Sequence, residues 1–414
     1  MALRFLVARP SSDLVRLPWQ QPLEEWDDSL LVPLARGISR HVVRFVRVGG
    51  AVIAVKETRQ AWAEREYAML RNLHRIGLPT VEVVGIVTGR ESPDGEPIEP
   101  ALLTRHLPRS LPYRSLFSHR LQDDTLERVL DALVVLMVRL HLEGFYWGDC
   151  SLSNTLFRRS AGDLAAYLVD AETGELHHSL SDGQRNYDLD LLRTNVFGEM
   201  LDLQAGGLLD QELDPIDLVD RVVERYQDLW AALTAAEEFA VEDMWRIEQR
   251  IERLNELGFD VDELDIVTDI GGATIRIQPK VVEAGHHTRR LQGLTGLDVE
   301  EAQARRILND FDAYAASKGM QLEDQMVVAH SWLTNVYEPL QRLAPPDAVE
   351  LLEAPELYHD VLLHRWYLSE QAGQEMDIFD AARDYVATVL PQRIEELKAA
   401  ETRTDTGLLD VITE

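Results

Sequence analysis

The chain has 414 residues, of which 45% are hydrophobic and eight are tryptophan, so it is long enough for two or three domains with cores of their own. Its formal net charge of −31 excludes general nucleic-acid binding, because a polyanion would be repelled by most of the surface. The single cysteine excludes an intramolecular disulfide and fits a reducing compartment. No secretion signal and no apolar run of about 18 residues is found, so we expect a cytoplasmic protein without a membrane span.

The first predicted elements form a small β-rich lobe. Strand patterns flank Gly49-Gly50, which is a hairpin signal, and an amphipathic helix and further strands follow it. The strand patterns lie at residues 41–48, 51–57, 81–89 and 101–106, and the helical pattern lies at residues 61–74. We therefore predict about five strands with one helix, followed by a proline-containing hinge at residues 105–112.

Two charged residues of this lobe are candidates for binding a nucleotide. Lys56 lies near the end of the second strand, and Glu66 lies on the helix that follows. Such a pair can position the α- and β-phosphates of ATP, although exposed charges are the commoner interpretation of the pair alone. Gly37 is the only glycine in the turn ahead of the hairpin, and that turn is a weak candidate for a loop over the phosphates.

The main chemical signal follows an apolar helix predicted from Asp124 to His141. Asp149 is followed five residues later by Asn154, and a turn between two strand patterns then leads to Asp170. Phosphoryl transfer requires a carboxylate near the acceptor hydroxyl, and an amide oxygen and a second carboxylate on Mg²⁺. We predict Asp149 as the catalytic residue and Asn154 and Asp170 as metal ligands, although acids and amides are also common in turns.

Four neighbouring residues have open roles. Glu172 is predicted to contact a second metal or its water shell. Asp188 and Asp190 are alternative candidates for anchoring the catalytic loop, and each is also explained as an acid near a helix N-terminus. Cys150 is a candidate reactive thiol, but a small buried hydrophobic side chain is the commoner interpretation.

The rest of the chain is predicted to be mostly helical. The fold class is α+β, with a bilobal protein-kinase-like fold followed by a C-terminal domain that has one β-hairpin. Its predicted parts are an amphipathic helix at residues 241–257, the hairpin at 263–279 and four or five later helices. We predict a kinase-like N-lobe at residues 1–107, a C-lobe at 108–236 and a C-terminal domain at 237–414.

Residues 30 to about 230 resemble the lipopolysaccharide kinase (Kdo/WaaP) and RIO-like branch of the protein-kinase-like superfamily. The resemblance rests on the approach from Leu140 to Gly144, on Gly148-Asp149 with Asn154, and on the strand before Asp170. It implies ATP and Mg²⁺ as cofactors. The whole chain also resembles a bacterial family of unknown function that joins a kinase-like half to its own C-terminal domain.

The sequence departs from that pattern in three places. Trp147 stands where relatives often have histidine, Asp170 is followed by Ala-Glu rather than Phe-Gly, and the glycine loop is reduced to Gly37. We therefore expect an ATP- and Mg²⁺-dependent phosphotransferase whose acceptor is a sugar, lipid-linked saccharide or protein hydroxyl. An inert or nucleotide-gated scaffold, with a protein partner on residues 237–414, and a nucleotidyl transferase are the alternatives.

Overall fold

The structure is a computed structural model that divides into two compact units. The first unit comprises Met1–Arg158 and Ala165–Ala231, and the second comprises Arg159–Leu164 and Ala232–Glu414. Among the described residues, no helix combines the length and apolarity that a bilayer span requires. The described residues are 3–8, 11–34, 41–108, 110–117, 123–160, 163–235, 237–240, 254, 259, 261–268, 274–281, 286–320, 322–372, 374 and 376–395.

The first unit begins with a five-stranded antiparallel sheet. Its strands are β1 (Arg4–Val7), β2 (Val43–Val48), β3 (Ala51–Glu57), β4 (Val83–Thr88) and β7 (Ala101–Arg105), in the spatial order β1-β4-β7-β3-β2. Gly49 and Gly50 both have positive φ, a conformation that glycine adopts at little cost, so they close the predicted hairpin between β2 and β3. The sequence pattern missed β1. Strands β5 (Arg90–Glu91) and β6 (Pro97–Ile98) pair with each other in a separate two-stranded sheet.

One face of this sheet is covered by the segment that precedes β2. Trp19, Leu23 and Trp26 are almost fully buried and form a core with strand residues such as Val55. The buried Arg90 guanidinium donates to the backbone carbonyls of Trp19 and Gln21, so the segment is held by hydrogen bonds as well as apolar contact. Helix α1 (Ser12–Val15) lies in this segment, and α2 (Gln60–Arg75) follows β3.

The remainder of the first unit is built around long helices. Helix α4 buries most of its apolar residues, as its pattern predicts, and Gly144 ends the turn after it with a φ of +75°. The elements are α3 (Tyr113–Phe117), α4 (Asp123–Leu142), α5 (Asp182–Ala205), α6 (Pro215–Thr234), β8 (Leu111–Pro112), β9 (Phe145–Tyr146), β10 (Thr155–Ser160), β11 (Asp163–Leu168) and β12 (Glu175–Leu176). Strand β10 pairs with β8, and β12 pairs with β9.

The second unit contains a three-stranded antiparallel sheet and a helical region. The predicted hairpin is present as β14 (Val261–Thr268) and β15 (Thr274–Val281), and β13 (Glu237–Ala240) adds a third strand to it. The helix predicted at residues 241–257 lies outside the described residues except for position 254. The helices are α7 (His286–Thr295), α8 (Glu301–Ser317), α9 (Gln325–Trp332), α10 (Glu338–Gln341), α11 (Pro346–Leu352), α12 (Ala354–Ala372) and α13 (Ile378–Thr388).

These helices share one hydrophobic core. Trp332 and Tyr358 are fully buried in it and make an edge-to-face contact with ring centroids 5.5 Å apart. The chain between α9 and α10 continues through a π-helical turn at Leu333–Tyr337. The described parts of the chain thus confirm the α+β class, with an antiparallel sheet near the N-terminus and a mostly helical C-terminal part.

Candidate functional site

Three carboxylates of the first unit surround the ammonium group of Lys56. Strand β3 carries Lys56 and helix α2 carries Glu66, and the predicted ion pair between them is present at 2.9 Å. The same Nζ lies 2.6 Å from Asp170 Oδ2 and 3.2 Å from Glu172 Oε2. The β3 lysine is therefore joined both to the helix of its own lobe and to the segment after β11.

This cluster carries more negative than positive charge. Burial alone lowers the pKa of Lys56, but the charges of Glu66, Asp170 and Glu172 outweigh it and raise that pKa above its ordinary value. Burial and the charge of Asp170 raise the pKa of Glu66 to about 8, against the opposing effect of Lys56. The three carboxylates thus compete for one cation.

The residue proposed as catalytic lies on a short loop after β9. Gly148 has a φ of +76°, which favours glycine, and the chain turns there immediately before Asp149. Asn154 Nδ2 donates to the Asp149 backbone carbonyl at 3.0 Å and to Asp149 Oδ2 at 3.1 Å. The amide nitrogen is used in these two bonds, and the amide oxygen of Asn154 is an atom of the kind that a hard cation takes as a ligand.

Helix α5 holds the start of this loop through Asp188. The fully buried carboxylate of Asp188 accepts from the backbone N–H of Trp147 at 2.7 Å and from that of Gly148 at 2.8 Å. His141 Nε2 lies 3.2 Å from the same carboxylate, so the end of α4 is fixed to it as well. Of the two candidate anchors, Asp188 has this role, whereas Asp190 is exposed.

The same helix holds the end of the loop through Glu199. The carboxylate of Glu199 accepts from the backbone N–H of Leu152 at 2.9 Å and from that of Ser153 at 2.7 Å. It also accepts from the Ser153 hydroxyl. Burial raises the pKa of Glu199, while these hydrogen bonds oppose that shift. Cys150, between the two anchors, is fully buried, and burial raises the pKa of its thiol, so the small-hydrophobe interpretation applies.

Trp147 links the loop to Asp170. Its indole is fully buried and donates through Nε1 to the backbone carbonyl of Asp170 at 3.2 Å. The carboxylate of Asp170 is fixed separately, since its Oδ1 accepts from the backbone N–H of Glu172 at 3.0 Å. Trp147 therefore joins the loop that carries Asp149 to the segment that carries Asp170.

A cleft of about 870 Å³ within the first unit brings the predicted residues together. Lys56, Glu66, Asp149, Asn154 and Asp170 all line it. Gly37, the sixth predicted residue, lies outside the described residues. The side of the cleft formed by α5 is lined by Thr194, Asn195, Gly198, Glu199 and Asp202.

The donor set fits a divalent cation bound with a nucleotide. Oxygens of Glu66, Asp170 and Glu172 lie within 4.8 Å of one another, and together they exceed the charge of Lys56. Carboxylate and amide oxygens are hard ligands of the kind that Mg²⁺ prefers. Asp170 and Asn154, which both line the cleft, could hold the ion.

Reasoning from the sequence did not identify Asn195 or Glu199 as part of the site. Both lie in the middle of α5, where a polar residue among apolar ones is ordinarily a solvent-facing position. The spacing was the available signal: Asp188, Asn195 and Glu199 are seven and four residues apart, which places them on one face of a helix.

Family models match two regions of the chain. Residues 54–206 match the model of the lipopolysaccharide kinase (Kdo/WaaP) family, as the resemblance predicted. This region is kinase-like. In the second unit the family match is to a domain of unknown function, DUF4032, and the residues that match are 228–390.

Among solved structures, the chain matches "WaaP in complex with acyl carrier protein". The sequence identity is 16% and the TM-score is 0.35, and the match covers 61% of this chain and 99% of that one. No curated protein matches the chain.

Proposed function

We propose that the kinase-like unit transfers the γ-phosphoryl group of ATP to a hydroxyl acceptor and requires Mg²⁺. The observation that carries the proposal is that Lys56, Asp149 and Asp170, which are far apart in the sequence, line one cleft. A cation, a carboxylate for the acceptor and a carboxylate for the metal are the parts that phosphoryl transfer needs.

Each residue has a distinct task in this proposal. Lys56, held by Glu66, binds the α- and β-phosphates, and Asn154 and Asp170 supply oxygens to the metal. Mg²⁺ bound there would neutralise phosphate charge. Asp149 orients the acceptor hydroxyl and takes its proton as the acceptor oxygen bonds to the γ-phosphorus and the bond from that phosphorus to the ADP leaving group breaks. Its carboxylate is already oriented by Asn154.

The candidate acceptors are a sugar, a lipid-linked saccharide and a protein hydroxyl. The nucleotide-binding part of such a cleft is the same for all three, so it does not distinguish between them. The cleft narrows the choice only by requiring that the hydroxyl reach Asp149. That residue is partly exposed, as an acceptor-binding group must be.

The test is the exchange Asp149→Asn, with Asp190→Asn, an exposed acid on α5, as the matched control. MgATP at 100 times its dissociation constant should stabilise the unmodified protein and both variants by about 2.7 kcal/mol each. Hydrolysis of ATP, with water as acceptor, should fall by at least about 10³-fold in Asp149→Asn alone. No stabilisation by MgATP, or full hydrolysis by Asp149→Asn, would refute the proposal.

An inert kinase-like scaffold with a protein partner is the second candidate. The observation that favours it is an exposed apolar face on α12, where Leu363, Trp366 and Tyr367 are 56%, 61% and 53% exposed. Under this alternative, a stable complex survives Asp149→Asn and is lost in Trp366→Asp. MgATP hydrolysis that depends on Asp149 would exclude the inert form.

A further inference from the structure

Two amide groups hold the carboxylate of Asp149 from opposite oxygens. Asn154 donates to Oδ2 at 3.1 Å, and Asn195 on α5 donates to Oδ1 at 3.3 Å. The same Asn195 nitrogen donates to the backbone carbonyl of Cys150 at 3.0 Å. That second bond fixes the orientation of the Asn195 amide, so its contact with Asp149 is geometrically defined.

From this arrangement we propose that Asn195 is a positioning residue for phosphoryl transfer, an inference that rests on the proposed function. The plane of an aspartate carboxylate rotates freely unless neighbours hold it, because the torsion that sets it is broad and roughly two-fold. Asn154 alone fixes one oxygen. A donor on the other oxygen fixes the plane, and with it the lone pair that meets the acceptor proton.

The helix that carries Asn195 is itself firmly attached to the loop. Asp188 and Glu199, on the same face of α5, bind the backbone at the start and the end of residues 147–153. Asn195 lies between them along the helix and contacts the side chain of Asp149 rather than backbone alone. Any shift of α5 therefore moves the loop and Asp149 together.

The amide chemistry of Asn195 suits this task. It donates a hydrogen bond without adding charge, so it orients the carboxylate of Asp149 without placing a cation beside it. A carboxylate at position 195 would instead place a second negative charge about 3.3 Å from Asp149. When two carboxylates lie at such a short distance, each charge disfavours ionisation of the other group.

The first experiment measures ATP hydrolysis with MgATP and water as the acceptor. In Asn195→Ala, kcat should fall about 10- to 100-fold, because small displacements of a catalytic group have effects of that size. The KM for ATP should stay within twofold, since Lys56 and Asp170 are untouched. Asn186→Ala, an exposed asparagine on the same helix, is the matched control and should leave both constants unchanged.

A second variant, Asn195→Asp, keeps the size of the side chain and tests the charge. The acidic limb of its rate profile should move to higher pH than in the unmodified protein, a change that mere loosening of α5 would not produce. Thermal stabilisation by MgATP, retained in both variants, reports that each is folded. An unchanged kcat in Asn195→Ala, or an unshifted profile in Asn195→Asp, overturns the inference.

The outcomes also separate this inference from the proposed function. If Asp149→Asn abolishes hydrolysis while both Asn195 variants behave as the unmodified protein, only the positioning role fails. If Asp149→Asn itself has no effect, the proposed function fails and the inference fails with it.

Discussion

The two units differ in how their charged and polar side chains are paired. In the kinase-like unit, one ammonium group is shared by three carboxylates at the wall of a cleft. In the second unit, two side-chain contacts between α8 and α12 each join one donor to one acceptor. Gln303 donates to Glu356 at 3.0 Å, and Arg306 Nη1 lies 3.0 Å from His359 Nε2.

This difference separates a site from a packing feature. Burial and the charge of Arg306 lower the pKa of His359, so the neutral ring accepts from the guanidinium and the contact is satisfied as it stands. The Lys56 cluster is not satisfied in that sense, because it keeps an excess of negative charge. Such an excess is expected where a cation and polyphosphate are to bind.

Among the exchanges that test this comparison, the largest effect is expected from Lys56→Met, which removes the cation from the unbalanced cluster. Three carboxylates then face one another, so we expect ATP hydrolysis to fall about 10²- to 10³-fold and the unit to lose about 3 kcal/mol of stability. Steady-state kinetics and urea unfolding measure the two effects. Lys318→Met, at an exposed position in the second unit, is the control. Hydrolysis within twofold of normal would show that the cluster is structural.

Three members of the Lys56 cluster could be predicted from the sequence, but the contact of Glu172 with Lys56 could not. Lys56, Glu66 and Asp170 follow from strand and helix patterns and from the order in which they occur. Glu172 as a third ligand of the lysine depends on how the turn after β11 approaches β3, which is a tertiary contact. No periodic pattern encodes that distance.

The fold was predictable to a similar depth. The hairpin over Gly49-Gly50 and helix α4 were correct because turn chemistry and apolar spacing are local. Strand β1, only four residues long, pairs with β4 across about 80 positions, so its neighbours in sequence give no sign of it. Strand β13 was missed for the same reason.

The next effect is expected in the pH dependence of stability, through Glu66. Its folded pKa of about 8 exceeds its ordinary value of 4.5, so between these values the native state holds a proton that the unfolded chain has lost. Its contribution to stability is therefore greatest below pH 4.5 and falls as pH rises to 8. The loss is at most about 1.4 kcal/mol per pH unit, since one proton is involved.

Urea unfolding of the unmodified protein and of Glu66→Gln, measured from pH 5 to 9, isolates this contribution. The stability of the unmodified protein relative to Glu66→Gln should fall as pH rises and should level off above pH 8. Glu64→Gln, an exposed position on the same helix, should show no such difference. A difference that is constant with pH would mean that Glu66 is ionised throughout and that Lys56 balances it fully.

The smallest effect on phosphoryl transfer is expected from Asp310→Ala, within the matched polar groups of the second unit. Asp310 Oδ2 accepts from Trp332 Nε1 at 3.2 Å and from the hydroxyl of Tyr358, and both rings are fully buried. Its removal leaves two buried donors without that acceptor, so the helical region should lose about 3 kcal/mol of stability.

Hydrogen exchange of α8 and α12 measures this local loss, and ATP hydrolysis should stay within twofold. Asp312→Ala, an exposed acid two residues along α8 that pairs with Arg290 at 3.4 Å, should cost no more than about 1 kcal/mol. Faster exchange with unchanged hydrolysis is the result expected if matched buried groups serve packing alone. Lost hydrolysis at a temperature where the variant is folded would instead give the second unit a part in the chemistry.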